Sequence, residues 1–333
     1  MKNWLRIVIL LVGLWACGSK EERMAERAAN NTPVRLVRLD IALFASPLNN
    51  TSLLDSIKNA LPHAYKDYFQ GVLRLGDPDR EDFVLELAGF RSDYYMRQLY
   101  EKARALYGTD ETPFQELKKG LARYHFYFPS RPLPTLVVCL SALNYAAAAN
   151  DSTLFVGIDM YLGPDFEAYL AMHMPAYIRQ RRKSEYLTAE ALRAWLITEF
   201  PPPSATPTFA ENLIYHGRLM CILEKILPNQ EDYLLVGYTK EQEKFCRQNI
   251  RNIWQYFVDA GILQSRENRD LARYFEEAPF SYGMPRETPG RTGVWIGWQI
   301  VRQFRKKHPD ITLDSLMKIN DLQSIFLRSG FRP

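Results

Sequence analysis

Residues 209–228, FAENLIYHGRLMCILEKILP, leave this chain less freedom than any other stretch. Phe209, Leu213, Ile214, Met220, Leu223 and Ile226 recur at spacings of three and four, so the segment is a helix with one broad apolar face. PGRTGVWIGWQIV, Pro289 to Val301, carries a matching constraint. Its Gly293 and Gly297 stand one turn apart among Val294, Trp295, Ile296 and Trp298, so a helix here can approach another backbone closely on its glycine side. Packing explains that motif better than membrane dimerisation, because Arg291, Arg302 and Arg305 bracket too short an apolar run.

The remaining pattern is also mostly helical. LLDSIKNAL, REDFVLELAGF, DYYMRQLYEKARALY and PFQELKKGLARY all show the same spacing, with Asp77-Pro78-Asp79 and Gly108-Thr109-Asp110 as breaks. VRLVRLDIALF, Val34 to Phe44, alternates as a strand does, and Thr135–Leu140 and Thr153–Ile158 read as two strands joined by a loop. Helices follow over PDFEAYLAMHMPAYIRQRR and TAEALRAWLITEF, then the break PPPSATP. Thr239 with Gln242 three residues on has the form of a capping box. The expected class is mainly α with a small β-sheet, α+β, in a single domain over 34–333.

Ahead of that domain, Lys2 and Arg6 precede the uncharged run Ile7 to Ala16, the layout of a secretory signal peptide over 1–16. Ten apolar residues are too few to span a bilayer, which takes about 20. Leu14-Trp15-Ala16-Cys17 resembles the bacterial lipobox, in which the cysteine is acylated with palmitate-type chains before cleavage, although Trp15 is larger than is usual there. An ordinary signal peptide ending near a free thiol is the alternative. Residues 17–33, including GSKEERMAERAANNT, hold little to bury and read as a lipidated tether; the SKEE within them resembles surface-export signals of some envelope lipoproteins. Membrane attachment would then run through acylated Cys17, with the domain in the periplasm or at the surface.

Charge excludes one partner class. Of 42 basic side chains, Lys2 and Arg6 leave with the signal, and the remaining 40 face 38 acidic ones, a balance unlike that of a nucleic-acid binder. The cluster Arg179-Gln180-Arg181-Arg182-Lys183 reads as the solvated end of a helix. Besides Cys17 there are Cys139, Cys221 and Cys246, too few and too irregular for a disulfide framework or a metal site.

Known catalytic signatures are absent. His63, His125, His173, His216 and His308 are each followed by a residue other than glutamate, which excludes HExxH, and there is no GxSxG, Walker loop or GxGxxG. The one constellation worth weighing is Glu211, His216 and Glu224, with Glu199 upstream, but Glu211 and His216 are five apart and diverge on a helix. His216 beside a packed Gly217 is the simpler reading, and Glu185, Glu190 and Glu199 read as helix surface charges. No cofactor and no metal ligand set is expected.

Taken together, VRLDIALF, VGIDMYLGPDFEAY, ENLIYHGRLMCILEKILP, VGYTKEQEKFCRQNIRNIWQYF, APFSYGMP, PGRTGVWIGWQIV and LRSGFRP resemble the gliding motility-associated lipoprotein GldB family of the Bacteroidota. The resemblance implies a cell-envelope lipoprotein with protein partners in the motility and type IX secretion machinery. The second half also resembles certain zinc peptidases, whose helix corresponding to Asn212–Leu227 carries an acidic ligand just before its glycine; here His216 holds that place, and LTAEALRAWLITEF stands where the zinc helix would be. That implies a degenerate zincin-like metallopeptidase scaffold whose candidate cleft, Glu190, Glu211, His216 and Gly217, binds rather than cuts. The alternative is a lipid-anchored hydrolase using His216 with Glu190 or Glu211. Asp55-Ser56-Ile57, Asp151-Ser152-Thr153 and Asp314-Ser315-Leu316 resemble O-glycosylation tripeptides of such envelopes.

Overall fold

The computed structural model describes residues 20–333 apart from 49, 51 and 203. The proposed signal peptide and Cys17 lie outside the described residues. In chain order the elements are α1 (Lys20–Asn31), β1 (Leu36–Arg38), α2 (Leu39–Phe44), α3 (Leu53–Ala60), α4 (Phe83–Ser92), α5 (Tyr94–Tyr107), α6 (Gln115–Tyr127), β2 (Thr135–Cys139), β3 (Ala147–Ala149) and β4 (Thr153–Gly157). There follow α7 (Glu167–Ala171), α8 (Ala176–Arg179), α9 (Ser184–Glu199), α10 (Phe209–Ile226), α11 (Asp232–Val236), α12 (Lys240–Gln248), α13 (Ile250–Asp259), α14 (Asn268–Phe275), α15 (Thr292–Lys307), α16 (Leu313–Lys318) and α17 (Leu322–Ser329). Helices dominate, and one four-stranded sheet completes an α+β fold. One cluster of buried apolar side chains runs from Ala25 in α1 to Phe331 beyond α17.

The tether reading of 17–33 needs correction over most of its length. Ala25 and Ala29, four apart, form a narrow small-residue stripe that is buried as α1 packs on α6. Glu26 pairs with the buried Arg123 of α6 at 2.8 Å, and Glu22 with Lys225 at 3.1 Å. The stripe escapes a sequence reading because alanine contributes little apolar area, while the rest of the helix is mostly charged or polar.

The strand expected over Val34–Phe44 is shorter than that. Leu36–Arg38 pairs in parallel with β2, and the chain turns helical at Leu39. The strands expected over Thr135–Leu140 and Thr153–Ile158 form over Thr135–Cys139 and Thr153–Gly157, and they lie parallel and adjacent, in the order β1-β2-β4-β3. Parallel neighbours require the chain to return to its starting edge. Here β3 makes the return, running antiparallel along the far side of β4.

The turn that launches this return holds Ala142 and Leu143 at φ of 54° and 62°, a left-handed conformation that side chains disfavour. Asp159 stabilises it. Fully buried, its carboxylate accepts from the Ser141 and Leu143 amides at 2.8 and 2.7 Å and from the Ser141 hydroxyl. Burial nevertheless pushes the carboxyl up to about 6, against those hydrogen bonds. A raised acid pKa favours the folded state fully below the unfolded value and loses that contribution as pH rises through about 6. Asp159→Ala leaves the buried Ser141 amide and the part-buried Leu143 amide without acceptors and is expected to cost about 2–4 kcal/mol in urea unfolding. The same variant is expected to remove the loss of stability between about pH 4 and 6.

Where α10 crosses α15, the two backbones touch. A β-carbon on Gly217 would fall 2.2 Å from the Gly297 carbonyl oxygen, and one on Gly297 only 1.9 Å from the Leu213 oxygen. Gly293 meets α14 in the same way, 2.9 Å from the Tyr274 oxygen. The glycine face expected from sequence is therefore a packing face on both counts. Side chains lock the crossing: Arg302 bonds Glu224 of α10 at 3.0 Å and Asp232 of α11 at 2.7 and 2.8 Å, while Trp298 donates its indole N–H to Glu224.

Candidate functional site

The helix expected over PDFEAYLAMHMPAYIRQRR is broken. Pro175 bars its continuation, His173 takes a φ of 55°, and two short helices, α7 and α8, result. The basic cluster that follows is not a solvated helix end. Arg181 and Arg182 are 3% and 8% exposed and turn inward onto Glu190, at 3.3 and 3.4 Å. Glu190 is accordingly no surface charge: it is 8% exposed and also accepts the Tyr161 hydroxyl at 2.8 Å. Glu199 is likewise tied down, by Tyr124 at 2.7 Å and by Arg131. Only Glu185 keeps the exposed character expected of it.

Helical spacing carries this network into a cavity. Glu190, Arg193 and Ile197 lie at i, i+3 and i+7 on α9; His216, Leu219 and Met220 share a face of α10. Arg193, Ile197, His216, Leu219 and Met220, together with Phe275, Glu276, Glu277, Arg291 and Val294, wall a cavity of about 260 Å³. Arg291 caps α15 in a left-handed conformation, φ 62°, and spends one nitrogen on the Val236 carbonyl at 2.6 Å. Glu277 is bonded to Arg181. Arg193 has no hydrogen-bond or ion-pair partner among the described residues, and is half-buried.

Electrostatics follow from this crowding. Burial, with Arg291 and Arg193 beside it, lowers the His216 imidazole to about 3, so it is neutral at ordinary pH. Its ring lies nearly parallel to that of Phe275, with centroids 5.1 Å apart. Burial and the neighbouring Arg193 and Arg181 lower Arg291 to about 9. Burial pushes the Glu277 carboxyl up, but the Arg181 guanidinium overcomes this and holds it at about 2.

The candidate cleft residues are only partly brought together. His216 lines the cavity, and Glu190 reaches it through the arginines. Glu211 is occupied elsewhere: it closes a capping box with Thr208, accepting the Thr208 amide at 2.6 Å. Gly217 faces Gly297, where the two helices cross. Glu224, further along α10, serves Trp298 and Arg302. Among the described residues no group of three His, Cys, Asp or Glu side chains is placed to hold a metal ion, and the groups around His216 do not fit a zinc ion. Cys139, Cys221 and Cys246 are buried free thiols.

A family model described as the gliding motility protein GldB matches residues 20–333. The chain belongs to the GldB family. This family is one of gliding-motility-associated lipoproteins, and the match spans every element from α1 to α17. No curated protein and no solved structure matches the chain. Among the described residues of this GldB-family chain, no helix is long and apolar enough to cross a membrane.

Sequence reasoning missed Arg193, Glu277 and Arg291 as site residues. Their signals existed in part: Arg291 opens the glycine helix, and Arg193 falls three residues after Glu190. What linear sequence lacks is the approach of the loop after α14 to α9, which unites them.

Proposed function

We propose that this GldB-family chain is a lipid-anchored, non-catalytic binding component of the cell envelope that serves gliding motility and the linked type IX secretion machinery. One observation carries the non-catalytic part: the groups that would do acid–base or metal work are each committed to something else. His216 is neutral and stacked on Phe275, Glu190 is clamped by two arginines and a tyrosine, and Glu211 caps its own helix. A general base needs a free lone pair near its substrate and a pKa near the working pH; none of these three meets both conditions. This is consistent with a metallopeptidase-like scaffold, α9 beside α10, whose ligands have been replaced.

The anchor would be Cys17, with the domain in the periplasm or displayed outside. Its partners would be proteins of the envelope motility and secretion machinery. The tests are fractionation and chemistry. Cys17→Ala is expected to lose labelled palmitate and to leave the membrane fraction, and purified wild-type protein is expected to hold no stoichiometric zinc. Retention of Cys17→Ala in membranes would contradict the anchor.

A further inference from the structure

The ion-pair network bordering the cavity beside His216 holds more arginines than carboxylates. Arg193 and Arg291 line it with Glu277 and the solvent-exposed Glu276, and Arg181, Arg182 and Glu190 stand behind them, joined through the Arg181–Glu277 pair. Four cations face three anions, which leaves one positive charge in excess. Burying an unpaired charge is costly, so a folded protein that retains one generally has a counter-charge to receive. The excess is localised as well. Arg181 and Arg182 pair with carboxylates, although the Arg182 Nε has no hydrogen-bond partner, whereas Arg193 pairs with no carboxylate and Arg291 spends one nitrogen on a backbone carbonyl. Both unsatisfied guanidiniums lie on the wall of the same cavity.

The rest of that wall is apolar: Ile197, Leu219, Met220, Phe275 and Val294. Ile197 is 43% exposed at the rim, so the apolar lining continues to solvent. The neutral imidazole of His216 adds a flat, uncharged surface. A volume of about 260 Å³ accommodates a group the size of one amino-acid residue and is smaller than the usual drug-sized pocket.

We propose that this cavity binds a single carboxylate carried on an apolar side chain, held by Arg193 and Arg291 with the apolar part against Phe275, Met220 and Val294. Guanidinium forks fit carboxylates in bidentate fashion, and one negative charge is what the site lacks. The inference rests on the reading of the cleft as a binding site. Two sources share this chemistry, the C-terminus of a peptide and a small free acid.

The test is calorimetric titration of the purified soluble domain with a tripeptide ending in leucine, the same tripeptide amidated at its C-terminus, 4-methylpentanoate, and inorganic phosphate, each to about 10 mM, above the dissociation constants expected for ligands of this size. Binding of the free tripeptide or of 4-methylpentanoate, with at least about tenfold weakening on amidation or in Arg193→Met, is the expected result. Which of the two acids binds more tightly identifies the source. Arg193→Lys, which keeps the charge but not the fork, is expected to bind with intermediate affinity while melting as the wild type does. Equal binding of acid and amide, undiminished binding in Arg193→Met, tighter binding of phosphate, or no binding of either acid overturns the assignment. Those outcomes leave the non-catalytic reading standing; hydrolysis of the tripeptide in the same cell would overturn that reading instead.

Discussion

Gly297→Ala is expected to yield little folded protein. Its new methyl group would meet the Leu213 carbonyl oxygen at 1.9 Å, and the atoms in the way are helix backbone on both sides. A flexible side chain could swing aside, but here α10 and α15 must separate. Separation opens the packing of Trp295, Trp298 and Val301 and lengthens the Trp298–Glu224 and Arg302–Glu224 bonds. Overpacking costs about 1–3 kcal/mol where side chains can adjust. With backbone against backbone the loss should exceed that range, a large part of the about 5–15 kcal/mol that holds a domain together. Gly89→Ala is the control. Gly89 also lies in a helix, α4, but its β-carbon would meet nothing within 4 Å. Circular dichroism melts should show that variant unchanged or slightly stabilised, by about 0.4–1 kcal/mol. Equal melting of Gly297→Ala and Gly89→Ala would contradict the close crossing.

The second large effect is expected at Glu190. Replacement by alanine leaves Arg181 with Glu277 alone and Arg182 with no carboxylate, both guanidiniums being buried. The Tyr161 hydroxyl loses its acceptor at the same time. Removing one partner from a buried ion pair typically costs about 3–5 kcal/mol, because the remaining charge stays desolvated. Chemical denaturation should show a loss in that range, and Glu190→Gln, which keeps an acceptor for Tyr161, a smaller one. A surface glutamate would change stability by no more than about 0.5 kcal/mol, so a near-neutral result would return Glu190 to the helix exterior.

How far this was legible in the sequence depends on the residue. Periodicity reveals the long helix α10 and the glycine face of α15, because each is a local pattern of side-chain size. The capping box of Thr239 and Gln242 is legible for the same reason and forms as expected, at 3.0 and 3.2 Å. Parallel pairing of β2 with β4 is not, since alternation marks a strand but says nothing of its neighbour's direction. Helix α1 is hidden by its composition: two alanines are enough to seat it, given an arginine on α6 to receive Glu26. The fate of the RQRRK cluster is decided by Pro175, which stops the helix and lets Arg181 and Arg182 turn inward. Charge on a linear sequence defaults to the surface, and only the partner Glu190, itself an unremarkable helical glutamate, reverses that. The cavity needed four separated segments, so only its individual members could be suspected.

The central claim, that the cleft around His216 binds rather than cuts, is tested most directly by zinc content and peptidase turnover measured on one preparation of wild type and His216→Ala. Zinc below stoichiometric amounts, and turnover at background in both proteins, are the results expected from a neutral, stacked His216 and from the lack, among the described residues, of a side-chain group placed to hold a metal. Stoichiometric zinc in the wild type, together with peptidase activity that disappears in His216→Ala, would contradict it.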